Sequence, residues 1–207
     1  MKKFFKILYA LRYYLLSILI LAVIITFLNI FVFLKYYVWY LNIIFVFGSV
    51  ILVIVIDGIT AALIHKLPKE KMNPEHFPEK KGEKRFFEII RIKKWKDKIP
   101  EIGELTCDFS KGEIKDPNNP EYILMFLQEM GYAEVIHFVS TIVGFLIVLP
   151  FIFDYHIILA VGLPVAVINV FYNLLSAWIQ RFNRPKLYRV YQRKQQLLER
   201  QKNKEEV

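Results

Sequence analysis

The chain has 207 residues, of which 56% are hydrophobic, and a formal net charge of +9. Its mean hydropathy of +0.36 is too high for an ordinary soluble domain. The single cysteine, Cys107, excludes an internal disulfide and a metal cluster held by several cysteines; it is expected to be a free, reduced thiol, with a nucleophile as the alternative.

Four stretches are apolar enough to cross a membrane, since a span needs roughly 20 mostly apolar residues. They are residues 14–34, 38–63, 135–153 and 157–179. The first stretch follows Lys2, Lys3 and Lys6, as a secretion signal would, but it is too long and no small-residue cleavage site follows it. The sequence therefore predicts an all-α integral membrane protein with four transmembrane helices.

The same pattern divides the membrane domain into four parts. They are an N-terminal transmembrane hairpin (1–64), a basic cytoplasmic or interfacial segment (65–131), a C-terminal transmembrane hairpin (132–180) and a basic cytoplasmic tail (181–207). All 28 Lys and Arg residues except Lys35 lie in parts that this topology places inside. Because cytoplasmic loops collect Lys and Arg, we expect a multi-pass protein of the cell membrane with both termini in the cytoplasm.

The positive charge predicts partners at the inner leaflet and no nucleic acid. Basic segments beside a membrane attract anionic lipids, and they equally suit a phosphorylated substrate. Four helices form a thin bundle, which is compatible with a homodimer.

The central segment contains EKRFFEIIRIKKWKDKIP at residues 83–100. Its apolar residues fall within one helical arc, and Lys and Arg surround them. Such a helix either lies in the membrane interface or packs on the helical bundle, and the sequence does not separate these alternatives. Further along, Asn119 as N-cap and Pro120 as first helical residue predict a helix that enters the third span, with a bend at Gly131. The chain after Pro185 reads as a basic, partly helical tail with a frayed end.

Polar residues form a stripe on each of the last two spans, since a helix turns about 100° per residue. On the third span the stripe contains Glu134, His137 and Thr141, with Glu129 at its border. On the fourth it contains Asn169, Asn173, Ser176 and Gln180, followed by Arg181, Asn183 and Arg184. Both stripes lie toward the cytoplasm, so we predict that they face each other across a polar pocket.

Ionisable groups at membrane depth are costly and indicate a functional site. A carboxylate near an imidazole orients it, so we interpret His137 as a general base and Glu134 as its partner. The alternatives are a structural hydrogen-bonded pair and a metal site, which would need His65; we expect no metal. Asn169 and Ser176 either line the polar pocket or form hydrogen bonds that join neighbouring membrane helices.

Asp57 lies about two helical turns inside the second span. It is either a third wall of the pocket or a buried, protonated acid. His76 is expected in a loop and His156 in a turn. The roles of Asp57, His65 and Cys107 are left open.

Residues 173–187, NLLSAWIQRFNRPKL, resemble the C-terminal signature of glycosyl-4,4'-diaponeurosporenoate acyltransferases, small membrane enzymes of staphyloxanthin-type carotenoid synthesis. Two further blocks resemble that family in the same order, RIKKWKDKIP at 91–100 and QEMGYAEVIHF at 128–138. The resemblance covers residues 66–187. The chain departs from the family pattern at Tyr132, where an Arg is expected.

The resemblance implies transfer of a fatty acyl chain to a sugar hydroxyl of a glycosylated carotenoid or, more broadly, another membrane glycolipid. No cofactor is expected, and the acyl donor is expected to be a phosphate-containing thioester such as acyl-CoA. The candidate residues are His137 and Glu134 for catalysis and, for substrate binding, Glu129, Lys94, Trp95, Lys96, Asn173, Gln180, Arg181, Asn183 and Arg184.

Specific roles follow from the side-chain chemistry. Asn173 and Gln180 are expected to donate hydrogen bonds to the oxyanion of a tetrahedral intermediate. Arg181 and Arg184 are expected to hold donor phosphates, with simple positive-inside flanking as the alternative. The lysines near Trp95 would add long-range attraction.

Two other functions also fit the composition. A non-catalytic scaffold would bind anionic lipid or a partner enzyme through its basic face. A small proton-coupled carrier would use Asp57, Glu134 and His137 as a proton path. The lack of internal repeats makes the carrier the less favoured of the two.

Overall fold

A computed structural model describes residues 16, 19–33, 39–99 and 116–205. The described residues are mostly helical and contain no β-strand, so the all-α prediction is confirmed. The α-helices are α1 (19–28), α2 (Trp39–Ile64), α3 (Glu83–Ile89), α4 (Ile92–Trp95), α5 (Pro120–Val143), α6 (Tyr155–Ile157) and α7 (Leu163–Glu205). Short 3₁₀-helices cover Lys69–Met72, Pro74–His76, Lys96–Lys98 and Gly144–Phe151, and π-helices cover Asn29–Phe33 and Ile158–Gly162.

Three helical stretches are long and apolar enough to cross a membrane. They are Tyr40–Ile64, Pro120–Phe151 and Tyr155–Lys204, which match the second, third and fourth predicted spans. In the first predicted span, the described apolar helix is Leu19–Phe31, which is shorter than a span. Many large apolar side chains are exposed, among them Ile142 (75%) and Phe153 (100%), as expected for a surface that faces lipid. Cys107 lies outside the described residues.

The chain forms two compact units. The first, called here the apolar unit, is Met1–Ile64 with Ile136–Leu175. The second, called the basic unit, is His65–Val135 with Ser176–Val207. The boundary therefore falls within α5 and within α7, so each of these helices contributes residues to both units.

The apolar unit has a core of small and branched side chains. Val46, Ile147, Val161 and Ala166 are fully buried there. Association of helices in lipid depends on close van der Waals packing, which small residues permit. The Ser49 hydroxyl donates to the Phe45 carbonyl oxygen at 2.7 Å, so it enters this core without an unpaired donor.

In the basic unit, the apolar side of α3, the first part of the predicted arc, packs against α7. The rings of Phe87 and Phe182 meet edge to face with centroids 5.4 Å apart, and those of Phe86 and Trp178 do so at 5.2 Å. Packing on another helix, one of the two alternatives, is therefore observed. The helix is interrupted at Arg91, whose φ of 52° separates α3 from α4.

The start of α5 was predicted correctly. The Asn119 side-chain oxygen accepts from the backbone N–H groups of Glu121 (3.0 Å) and Tyr122 (3.3 Å), which makes it the N-cap. The α-helix continues through Gly131. A Cβ at this glycine would lie 2.9 Å from the Met72 carbonyl oxygen. The lack of a side chain at Gly131 therefore lets the backbone of α5 approach the backbone at Met72 closely.

The tail is more ordered than the sequence indicated. Helix α7 includes Pro185 and continues to Glu205. The Lys194 ammonium donates to Asn118 Oδ1 at 3.0 Å, a contact that ties the tail to the segment before α5.

Candidate functional site

The apolar unit contains a hydrogen-bonded group that we call the amide–imidazole cluster: Asp57 on α2, His137 on α5, and Asn169 and Asn173 on α7. His137 Nδ1 lies 2.8 Å from Asn173 Oδ1. Asn173 Nδ2 donates to Asn169 Oδ1 at 2.8 Å and to Asp57 Oδ2 at 3.2 Å. The polar stripes of α5 and α7 thus meet in this unit, as their spacing predicted.

These contacts define the tautomer of the imidazole. The Asn173 side-chain nitrogen faces three acceptors: Asn169 Oδ1, Asp57 Oδ2 and, at 3.2 Å, the Asn169 carbonyl oxygen. The Asn173 amide oxygen must therefore be the atom that faces His137. An amide oxygen can only accept, so Nδ1 of the neutral ring carries the proton and Nε2 carries the lone pair.

Burial holds the cluster in place. Asn169 and Asn173 are 6% and 5% exposed, while Asp57 and His137 are half-buried. Asn169 Nδ2 also donates to the Ser140 carbonyl oxygen at 3.4 Å, which ties α7 to α5. An amide with several partners in an apolar environment has few alternative orientations, so the cluster is a rigid support for the imidazole.

The basic unit contains a second group, called here the arginine–carboxylate cluster: Glu83 on α3, Glu134 on α5, and Arg181 and Arg184 on α7. Arg181 Nη1 donates to Glu134 Oε1 at 3.2 Å, and Arg181 Nη2 donates to Glu83 Oε1 at 2.8 Å. Arg184 Nη2 donates to Glu134 Oε2. Two carboxylates and two guanidinium groups balance the charge within the cluster.

Arg184 lies deep in this unit. It is 1% exposed, Glu134 is 4% exposed, and the Arg184 guanidinium carbon lies 4.1 Å from the centre of the Phe77 ring. Arg184 Nε and Nη1, and both amide atoms of the fully buried Gln180, make no hydrogen bond to any residue that the structure describes. This burial favours support of Glu134 over direct contact with a donor phosphate as the role of Arg184.

The predicted partner of His137 was Glu134, and the two residues belong to different units. In the basic unit both Glu134 oxygens accept from arginines, while in the apolar unit the contact that orients His137 comes from Asn173. The orienting role of Glu134 stays a prediction.

The remaining candidates occupy the basic unit. Lys94 is exposed, Lys96 pairs with the adjacent Asp97, and the Trp95 indole donates to the Ile90 carbonyl oxygen at 2.8 Å. Glu129 and Asn183 are both half-buried, on α5 and α7. Their roles in substrate binding also stay predictions.

Sequence reasoning missed Glu83 and Phe77. Glu83 is 98 residues from Arg181, and no periodicity links the two. His65, considered above as a metal ligand, packs its ring 4.7 Å from that of Tyr132. Across residues 16, 19–33, 39–99 and 116–205, no three His, Cys, Asp or Glu side chains are grouped as a metal site would require.

Within the described residues the fold is helical, three of its helices are long and apolar enough to cross a membrane, and two of these carry buried ionisable side chains, the feature typical of a membrane protein with a polar site. The family model for glycosyl-4,4'-diaponeurosporenoate acyltransferase matches residues 68–193, more than half of the chain. The chain belongs to this family and is an acyltransferase, in a family of carotenoid biosynthesis. No curated protein and no solved structure matches it.

Proposed function

We propose that the protein transfers a fatty acyl chain from a phosphate-containing thioester to a sugar hydroxyl of a glycosylated carotenoid or another membrane glycolipid. Membership of the acyltransferase family supports the reaction class. The observation that carries the proposal for this chain is the contact between His137 Nδ1 and Asn173 Oδ1, which leaves the basic lone pair of the imidazole on Nε2.

His137 acts as the general base. The acceptor hydroxyl oxygen attacks the thioester carbonyl carbon while Nε2 takes the hydroxyl proton. The tetrahedral intermediate then expels the thiolate, which takes this proton from the imidazolium. The products are an ester and a thiol, the ring returns to its neutral form, and no covalent enzyme intermediate is needed.

For Asn173 we propose a positioning role instead of the oxyanion role expected from its side-chain chemistry. Its two amide hydrogens are directed at three acceptors within the cluster, so they are poorly placed to stabilise an oxyanion. We assign Asn173 as a positioning residue that holds the ring in the productive tautomer. Gln180 is fully buried in the basic unit, and its role as an oxyanion donor stays a prediction.

The membrane location follows the charge distribution. With three helices able to cross a membrane and basic residues concentrated outside the apolar stretches, the protein is proposed to be a multi-pass protein of the cell membrane with both termini in the cytoplasm. The sugar hydroxyl, the thioester and His137 would then meet at the cytoplasmic side.

The test is transfer of a labelled acyl chain in membranes that contain His137→Ala, with glycosylated carotenoid and, separately, another glycolipid as acceptor. We expect the rate to fall roughly 100- to 10,000-fold, the usual contribution of a general base. His156→Ala is the matched control, because His156 is exposed and lies in α6, a short helix where the sequence predicted a turn, far along the chain from the polar stripe of α5. Full activity of His137→Ala would refute the assignment.

A further inference from the structure

The basic unit contains a groove with a volume of about 570 Å³. It is bordered by α3 and α4 on one side and by residues 181–189 of α7 on the other. It is lined by Glu79, Glu83, Lys84, Phe87, Glu88, Arg91, Ile92, Lys93, Lys94, Arg181, Phe182, Pro185, Lys186 and Arg189. Ligand pockets typically enclose roughly 300 to 1,000 Å³, so the groove is large enough for a nucleotide.

The groove carries an excess of positive charge. Its lining has seven cationic and three acidic side chains. Glu83 already pairs with Arg181, whereas Lys93, Lys186 and Arg189 form no ion pair with any residue in the described ranges. These three cations repel one another, and their repulsion raises the free energy of the empty groove. A bound anion would offset that repulsion.

Apolar walls complete the groove. Phe87, Ile92, Phe182 and Pro185 line the groove, and Phe87 and Ile92 are buried at 7% and 1% exposure. The Lys186 ammonium lies 3.5 Å from the centre of the Phe182 ring, so its charge is held at an aromatic surface. A ligand with both a planar ring and several phosphates matches this combination.

We propose that this groove binds the nucleotide end of a coenzyme A thioester, with its diphosphate and 3′-phosphate on the cationic side chains and its adenine against the apolar wall. This inference rests on the proposed acyl transfer and names its donor. Coenzyme A carries about four negative charges in this region, equal to the excess of positive charge in the lining.

Two other anions fit less well. A phospholipid headgroup generally has one phosphate and no planar ring. An acyl carrier protein presents a single phosphodiester on a folded domain, which would meet a broad surface better than a concave groove. The groove therefore favours the soluble thioester.

The first experiment measures binding of coenzyme A to the purified full-length protein in neutral detergent by calorimetry. Dephospho-coenzyme A and phosphopantetheine serve as truncated probes. We expect affinity to fall about tenfold without the 3′-phosphate and further without the nucleotide, and to weaken as salt rises. Equal affinity for coenzyme A and phosphopantetheine would overturn the proposal.

The second experiment removes single charges from the groove. Lys93→Ala, Lys186→Ala and Arg189→Ala should each weaken coenzyme A binding about three- to tenfold. Lys202→Ala is the matched control, since Lys202 is exposed on α7 outside the groove. Circular dichroism establishes that each variant is folded, and Lys186→Arg should restore most of the affinity because it keeps the charge.

A third measurement separates the sources of phosphate. The same variants are tested for binding to phosphatidylglycerol vesicles and to an acyl carrier protein. Loss of either interaction with unchanged coenzyme A binding would overturn the proposal in favour of that partner. Acyl transfer that depends on His137 but proceeds only from carrier protein would leave the proposed function intact while the groove assignment fails.

Discussion

The side-chain amide of Asn169 lies against Gly144, at the point where α5 gives way to a 3₁₀-helix. A Cβ added to Gly144 would lie 2.1 Å from Asn169 Nδ2, a separation that no pair of unbonded atoms tolerates. Since Asn169 Oδ1 accepts from Asn173, which in turn contacts His137, the absence of a side chain at position 144 determines where the amide–imidazole cluster sits.

Gly144→Ala should therefore impair catalysis. The added methyl group displaces the Asn169 amide and, through Asn173, the imidazole, so we expect a fall in kcat of roughly ten- to a hundredfold. The matched control is Gly48→Ala on α2, where an added Cβ meets no atom within 4 Å. This control should be neutral or slightly stabilising, because alanine favours a helix by up to about 1 kcal/mol over glycine. Equal activity of both variants would contradict the relationship.

Asn173→Leu should lower kcat with little effect on the KM of either substrate. The change removes the acceptor that fixes the imidazole tautomer, and we expect a loss of roughly ten- to a hundredfold, less than removal of the base itself. Asn42→Leu provides the control, since Asn42 is a fully buried amide of the apolar unit that makes no side-chain hydrogen bond to a described residue. A KM increase at constant kcat would instead indicate that Asn173 binds substrate.

The parts of the site that could be predicted from the sequence depend on local rules. The start of α5 follows from the capping chemistry of Asn119 and Pro120, which acts within one turn. The meeting of His137 with Asn173 follows from helical periodicity on two apolar segments, because a polar face in lipid has to find another polar face.

The rest depends on contacts that no local rule encodes. Glu83 pairs with Arg181 because α3 packs against α7. The break between α3 and α4 at Arg91 uses a left-handed conformation without a glycine to signal it. The helix through Pro185 is likewise unexpected, since an interior proline removes a backbone donor. In the basic unit, Lys194 on this helix donates to Asn118, a contact between residues 76 positions apart that no local rule predicts.

Gly131→Ala should destabilise the basic unit. Its Cβ would lie 2.9 Å from the Met72 carbonyl oxygen and 3.2 Å from Met72 Cβ, and both atoms belong to a rigid part of that residue. The backbone of the Lys69–Met72 turn would have to move, at a cost of about 1–3 kcal/mol. Thermal unfolding in detergent measures the effect. Gly58→Ala is the control, because nothing lies within 4 Å of its added Cβ, and an equal melting temperature for both variants would argue against close contact at Gly131.

Glu134→Gln should destabilise the protein strongly. Arg184 would keep its charge at 1% exposure after losing its carboxylate partner, and an unpaired buried charge costs roughly 3–5 kcal/mol. Glu121→Gln is the matched control on the same helix. Glu121 is exposed, so the control should change the free energy of unfolding by less than about 1 kcal/mol.

The double variant Glu134→Leu with Arg184→Met separates two causes of destabilisation. One is a buried charge left without its partner, and the other is altered packing of the side chains. Replacement of both partners by apolar side chains leaves no unpaired guanidinium, and Arg181 keeps Glu83 as its counter-ion. We therefore expect the double variant to be more stable than either single variant, with a coupling energy of about 2 kcal/mol or more in a double-mutant cycle. Chemical denaturation monitored by tryptophan fluorescence supplies the four free energies of unfolding, for the wild type, the two single variants and the double variant. Simple additivity of the two single effects would show that Glu134 and Arg184 contribute independently, and the contact between them would then have no role in the stability of the basic unit.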